Sequence, residues 1–377
     1  MPLTTRLRIA LAILILSPAA WAETNLSAYS DPSLEWRGAV EAAIESAYRE
    51  CFRAFFIDGK VVTLALPFAE ESERSELAQS ELKVEGGGKS DPGALWESAA
   101  RILASPNFAK YLRTLSDGRE KLIQFDIATR SWSASADRFA LERMLTGRYP
   151  GLPHRPVVLS RGGGAAIPDV YNYLYCVGRV GIDCSGFVWH ALCKMGAAGG
   201  LDLDAVRRRE SKLPRSVDPS LYVSAQYFDP KGGRTREIYD RVELMLPGDI
   251  ILFRGEDGTI IHSAIVQSID LAAGRLRYLQ STDESPQGER GVHESFILFD
   301  PGPSGASLKD EGIRWTQRRG ATFEGELPPA FVDDGERYRA YQELGGGIVV
   351  RLKALEKTAS KLRSRPPIRK PAPPPAK

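Results

Sequence analysis

The chain has 377 residues, long enough for a sizeable core and for two or more folded units, and 43% hydrophobic with 26% charged residues is the balance of a soluble globular protein. The formal charge is only +2, and composition alone assigns no function. After residue 22 no segment is long and apolar enough to span a bilayer as a helix.

The first residues, MPLTTRLRIALAILILSPAAWAETN, run from Arg6 and Arg8 through an apolar stretch, Ile9 to Leu16, to Ala20-Trp21-Ala22. That is the order of a secretory signal peptide cleaved after Ala22. Its apolar run is shorter than the ~20 residues of a spanning helix, and no cysteine stands at the cleavage point to take a lipid. The expectation is an exported chain, periplasmic or secreted, with no transmembrane segment once the leader (1–22) is gone. Loss of the leader brings the formal charge to 0; residues 351–377 hold nine Lys and Arg against one Glu, which leaves 23–350 at about −8. A basic tail on an acidic body is either simply solvated or binds an anionic envelope surface.

Asp31-Pro32 has the chemistry of a helix start, and Trp36, Val40, Ala43, Ala47, Cys51 and Phe55 recur at helical spacing, predicting one packing helix. KVVTLALPF, Lys60 to Phe68, reads as a strand, and the stretch through Gly86-Gly87-Gly88 as a loop. Asp91 starts a second helix to about Ala104, Ser105-Pro106 a third through Leu115, KLIQFDIA is strand-like, and Asp137 to Leu145 reads as a short helix stopped by Gly147. The breaker-rich run Gly147 to Pro156 separates an N-terminal α+β domain, 23–149, from the rest of the chain. RGGGAA from Arg161 lacks the Gly-Lys-Ser/Thr of a phosphate cradle and reads as a loop.

GIDCSGFVWHALCKMG, Gly181 to Gly196, carries the first chemistry. Asp183 is a good N-cap, Cys184 falls in the first turn, Phe187, Val188, Ala191, Leu192 and Met195 form an apolar stripe, and Gly196 reads as the C-terminal cap. A cysteine there faces unpaired amides and the positive end of the helix dipole, the setting that stabilises a thiolate. A thiolate nucleophile also needs a base that later protonates the leaving amine. Of the four histidines, His190 lies six residues along the same helix, ~9 Å up and turned elsewhere, and His154 sits in the breaker-rich run. His262 comes after LPGDIILFRGEDGTII, in which Pro247-Gly248-Asp249 turns into a buried strand, Ile250 to Phe253, and Gly255 to Gly258 makes a hairpin into HSAIVQSI. That places His262 near a sheet end that a helix N-terminus can meet.

Cys184 and Cys193, ~13 Å apart along one helix, cannot pair, and Cys51 sits in an apolar stripe. With Cys184 kept reduced, Cys51, Cys176 and Cys193 allow at most one disulfide. There is no Cys-x-x-Cys, and HESFI at His293 lacks a second histidine, so neither metal nor cofactor is expected.

DCSGFV, PGDIILF, HSAIV and RYLQST, in that order, resemble the NlpC family of papain-like cysteine peptidases, which cut peptidoglycan stem peptides. The likeness covers roughly residues 170–282, under a third of the chain. It implies an α+β fold with a papain-like catalytic domain, the Cys-bearing helix packed on an antiparallel sheet bearing the His, over 150–300. Within it about 197–245 reads as an insertion that either covers the groove or merely decorates it. A loop-rich C-terminal extension, 301–350, with a short helix near Asp334 to Leu344 and a strand IVVRL, and a basic Pro-rich disordered tail, 351–377, complete the chain.

Residue by residue, the likeness implies Cys184 as nucleophile, forming a thioester, His262 as general base and acid, and a polar residue on the next strand orienting the imidazole. That third residue is often His in the family; here Gln280 is best placed, with Asp283 a rival and His293 a further one. It also implies substrate binding by Asp183 and Ser185, an oxyanion-hole donor in the Cys184 amide, and a site-lining tyrosine, for which Tyr171, Tyr173 and Tyr175 compete and Tyr173 is preferred. YNYLYCVGRVGIDC departs from the family by lacking Trp-Gly-Gly and by carrying Cys176. The expected function is an exported endopeptidase acting on peptidoglycan stem peptides; the competing one is a non-hydrolytic wall-peptide-binding or acyl-transferring relative. A nucleic-acid partner has only the tail in its favour, and export argues against it.

Overall fold

The computed structural model describes residues 34–57, 60–68, 91–108, 121–126, 131–135, 158–160, 174, 180–282, 291–301, 305–318, 331–333, 341 and 346–356. Helix α1 (Leu34–Glu50) ends before the apolar stripe does. Cys51 turns the chain, and the aromatic run FRAFFI becomes strand β1 (Phe52–Ile57), paired antiparallel with β2 (Lys60–Ala65). Phe55, expected on the helix, therefore lies in a strand, because an aromatic-rich run next to a pairing partner favours the pleated backbone. Helix α2 (Pro92–Leu103) starts as its sequence predicts: the Asp91 carboxylate accepts from the Gly93 and Ala94 amides. Its Trp96 indole donates to the Glu50 carbonyl at 3.0 Å, fastening α2 to the end of α1.

Strands β3 (Lys121–Asp126), β4 (Ser131–Ser135) and β5 (Val158–Ser160) form a small antiparallel sheet in the order β4-β3-β5. The expected helix at 137–145, the boundary at 147–156 and the loop from Arg161 lie outside the described residues.

The remainder builds helices α3 (Cys184–Ala198) and α4 (Leu203–Glu210) and strands β6 (Thr235–Ile238), β7 (Ile250–Arg254), β8 (Ile260–Asp270), β9 (Arg275–Thr282), β10 (Gly291–Leu298), β11 (Arg314–Arg318), β12 (Phe331–Asp333) and β13 (Gly347–Leu352). These eight strands form one antiparallel sheet in the order β12-β11-β10-β9-β8-β7-β13-β6. The chain is thus α+β with antiparallel sheets.

Both faces of this sheet are buried. Ile250, Leu252, Ile265, Leu279, Val292 and Val350 point into a core shared with α1, α2 and α3. Their strand neighbours Ile251, Phe253, Ala264, Val266, Tyr278 and Val349 point the other way, onto Trp315 and Tyr341. This is why β7 reads IILF, a continuous apolar run, and not as an alternation: successive side chains enter different cores.

Two features tie distant parts of the chain together. The described stretches 34–57, 60–68 and 91–108, assigned from sequence to an N-terminal α+β domain, contribute Val40, Ile44, Ala47, Leu64, Leu95 and Trp96 to the core that contains α3. The region read as a C-terminal extension supplies β11, β12 and β13, and β13 lies between β6 and β7. Arg351, counted in the tail, belongs to β13, and its guanidinium grips the buried Asp249 carboxylate at 2.6 and 2.7 Å. A half-buried cluster also ties α1 to the sheet: Arg277 of β9 bridges Glu45 of α1 and Glu294 of β10 at 2.6 and 2.8 Å. Burial raises the Glu45 carboxyl, but the Arg277 contact outweighs it and holds the group below its usual range. Its contribution to stability is present at neutral pH and is lost on acidification through that lowered value.

Helix α3 is buried over most of its length, consistent with its largely apolar sequence. It does not stop at Gly196 as expected; it runs to Ala198, and Gly199 caps it. Gly196 serves a close approach instead, since a Cβ there would come within 2.9 Å of the Leu201 carbonyl. The segment expected as an insertion is an ordered layer on α3: the Trp189 indole donates to Asp204 of α4 at 2.9 Å, and Tyr227, edge-on to Trp189, lies under the guanidiniums of Arg207 and Arg234. Among the described residues no helix is long and apolar enough to cross a membrane.

The Pro247-Gly248-Asp249 turn is where sheet and helix meet most tightly. Gly248 has φ +92°, and a Cβ on it would lie 2.5 Å from the sulfur of Met195 on α3. Gly248→Ala combines a left-handed strain with overpacking and is expected to destabilise the protein by roughly 2–4 kcal/mol, read as a lowered midpoint in chemical denaturation.

Candidate active site

Cys184 opens α3. Asp183 holds the extended backbone of an N-cap, with φ −77° and ψ 179°, and its carboxylate accepts from the Gly186 amide. The same carboxylate lies 3.0 Å from the Ser185 hydroxyl, which also lies 3.0 Å from the Val223 carbonyl. Asp183 and Cys184 are almost covered, and Ser185 is completely so. Ser185 therefore braces the cap from inside the protein: its hydroxyl is engaged by Asp183 and by the layer around Val223.

The residue before the cap fixes where the helix begins. The Ile182 amide donates to the Pro67 carbonyl at 2.9 Å, and the Ile182 carbonyl accepts from the Ser281 hydroxyl of β9 at 2.6 Å. The start of α3 is thereby anchored at the C-terminal end of β9, beside the start of β10, where the Val292 amide reaches the Leu66 carbonyl.

His262 stands near the start of β8, opposite Phe253 of β7, with the two rings 5.3 Å apart. Its Nε2 is 2.8 Å from Oε1 of Gln280. Gln280 Nε2 in turn lies 3.2 Å from Nε2 of His293 and 3.3 Å from the Ser295 hydroxyl, and His293 Nδ1 lies 2.8 Å from the Gly291 carbonyl. Gln280 and His293 face one another across β9 and β10 in direct register. All four side chains of this network are buried. The network shares the sheet face of Phe253 and Tyr278, whereas Ser281 is on the face covered by α3. Adjacent residues of one strand thus serve the two halves of the site: Gln280 holds the imidazole and Ser281 holds the approach to the cysteine.

Of the residues singled out from sequence, His262 and Gln280 are brought into contact, and Asp183 caps the helix of Cys184. Asp283 and the tyrosines 171, 173 and 175 lie outside the described residues, as do His154 and Cys176. Sequence reasoning misses the place of His293 behind Gln280. The signal for it is the alternation in GVHESFIL, which sets His293 and Ser295 on one face of the strand next after that of Gln280.

The other thiols and the second helix histidine pack. None of the described cysteines, Cys51, Cys184 and Cys193, is in a disulfide. Burial pushes the Cys51 and Cys193 thiols up, with Glu50 and Asp204 respectively adding to the effect, so neither is a thiolate. His190 Nε2 sits 3.2 Å from Glu50 at the end of α1, and Lys194 binds the same carboxylate at 2.7 Å. Burial lowers the imidazole pKa despite Glu50, so His190 is a neutral packing residue at neutral pH. Among the described residues no group of His, Cys, Asp and Glu could hold a metal ion. No family model, curated protein or solved structure matches this chain.

Proposed function

We propose that the protein is an exported cysteine endopeptidase that hydrolyses a peptide bond in peptidoglycan stem peptides. The observation that carries the reading is the buried His262–Gln280–His293 chain, whose Gln280 is followed on β9 by Ser281, the residue that anchors the capped, cysteine-bearing start of α3. The NlpC-like order of DCSGFV, PGDIILF, HSAIV and RYLQST supports the papain-like assignment and the substrate class, and the leader-like N-terminus supports export.

In this mechanism His262 takes the proton of the Cys184 thiol and the thiolate attacks the scissile carbonyl carbon. The Cys184 amide, at the positive end of α3, donates to the developing oxyanion; loss of one such donor costs on the order of 10²–10³ in rate. Collapse of the tetrahedral species breaks the C–N bond, the imidazolium gives its proton to the leaving amine, and a thioester remains. Water, deprotonated by His262, then releases the acid and restores the thiol. Gln280 keeps the ring in plane by accepting from Nε2.

The test is to incubate the mature protein and its Cys184→Ala variant with purified peptidoglycan and identify the released muropeptides by mass spectrometry. The parent protein is expected to release stem-peptide fragments with a new amine and a new carboxylate, and the variant none. Indistinguishable fragment profiles would overturn the reading.

A further inference from the structure

The direction of the hydrogen bonds along the His262–Gln280–His293 chain is set by one backbone carbonyl. The Gly291 oxygen can only accept, so the His293 Nδ1 at 2.8 Å must carry a proton. A neutral His293 then has its lone pair on Nε2, and the Gln280 group facing it at 3.2 Å must be the amide NH₂. With the amide so turned, Oε1 faces His262 at 2.8 Å, and His262 must carry its proton on Nε2. The basic lone pair of His262 is thereby assigned to Nδ1. Ser295, 3.3 Å from the amide nitrogen, can donate or accept and does not by itself choose between the two orientations of Gln280.

We propose that His293 is a positioning residue: by holding the side-chain amide of Gln280 in one orientation, it fixes the Nε2–H tautomer of His262. The kinetic consequence rests on the peptidase reading, because there the tautomer decides which ring nitrogen serves as base. The tautomer itself does not depend on that reading. A doubly protonated His293, or an apolar side chain in its place, leaves only Ser295, which serves either orientation of the amide, and lets Gln280 turn its nitrogen toward His262. An orienting glutamine has this weakness where a carboxylate does not, since only the amide has a wrong way round.

The experiment uses full-length mature protein with ¹⁵N-labelled histidine in the Cys184→Ala background, which prevents a thiolate–imidazolium pair, at a pH of about 8 where an ordinary imidazole is neutral. With only four histidines in the sequence, the ring nitrogens are assignable by single substitutions. His262 is expected as the Nε2–H form and His293 as the Nδ1–H form. His293→Phe should shift His262 to a mixture or to the Nδ1–H form, and His293→Gln, which restores an acceptor and a donor, should return it to Nε2–H. With Cys184 present, His293→Phe should lower kcat by between about tenfold and 10⁴-fold, the latter being the cost of a wholly wrong tautomer. KM should change little, and His293→Gln should recover most of the rate.

An Nδ1–H His262 in the parent protein, or an unchanged His262 in folded His293→Phe, would overturn the proposal. If His293→Phe does not fold, the parent and His293→Gln spectra still decide it, since both must show the Nε2–H form. A parent protein that cleaves nothing while showing these tautomers would sink the peptidase reading and leave the positioning role standing.

Discussion

If the proposed peptidase reading holds, His262→Ala should lower the rate of stem-peptide cleavage by on the order of 10⁴-fold or more, the scale seen when a base in a nucleophile–base pair is removed. Without the imidazole nothing else in the described network can take the thiol proton. Gln280 is a neutral amide, and His293 is separated from the reacting side by that amide, 3.2 Å beyond it. His190 is committed to Glu50 on another part of α3. The same change leaves Gln280 Oε1 without the donor at 2.8 Å, a loss of about 1–3 kcal/mol in stability for a buried acceptor. Rate and unfolding midpoint must therefore be measured together, by chromatography of released peptides and by thermal melting. Gln280→Ala is expected to be milder. Its hydrogen bond is to a ring that becomes charged during the reaction, and such a bond is worth about 1.5–3 kcal/mol, or roughly 10- to 150-fold in rate. If His262→Ala keeps more than a tenth of the parent rate, the base lies elsewhere.

Local chemistry makes much of the site legible in the sequence. Asp183 and Asp91 cap helices because a short carboxylate satisfies exposed amides within three residues, a relation contained in a few letters. The Gly255 to Gly258 hairpin and the strands on either side are likewise readable, and they bring His262 opposite Phe253. Whatever depends on distant pairing is not. Val349 lies between Ile251 and Ile238, and no local pattern in GIVVRL selects a slot between two strands about a hundred residues earlier. Arg351 reads as part of the tail because its C-terminal surroundings are basic and proline-rich, although its partner is the Asp249 of the Pro-Gly-Asp turn. Ser185 illustrates the same limit on a smaller scale: the helix register gives its neighbourhood to Cys184, but the layer around Val223 that buries it is nearly forty residues away in sequence.

Arg351→Met should destabilise the protein by about 3–5 kcal/mol at neutral pH, because it leaves a buried carboxylate without its partner. Burial alone raises the Asp249 carboxyl; the Arg351 charge and fork and the Leu246 amide pull it back, but the group stays above its usual range. Burial would lower Arg351, but Asp249, with Glu356 adding, outweighs it and holds the guanidinium charged. Removing Arg351 raises the folded-state pKa of Asp249 further. For a carboxyl raised in the folded state the penalty is absent below its unfolded value of about 3.9, grows as pH rises from there toward the folded value, and is complete above it. The loss should thus be largest near pH 7 and shrink toward pH 4, as read from denaturant midpoints of parent and variant at both values. An equal loss at both would rule out the charge as its cause. Asp249→Asn in the same chain keeps an acceptor for the Leu246 amide while removing the charge, and should recover a large part of the stability. Asp249 closes the turn that seats Gly248 against Met195 of α3, so the first residue of the basic C-terminal stretch supports the helix that carries Cys184. Truncation after Val350 should accordingly cost stability on the scale of Arg351→Met or more, whereas truncation after Glu356 keeps the pair and should cost far less.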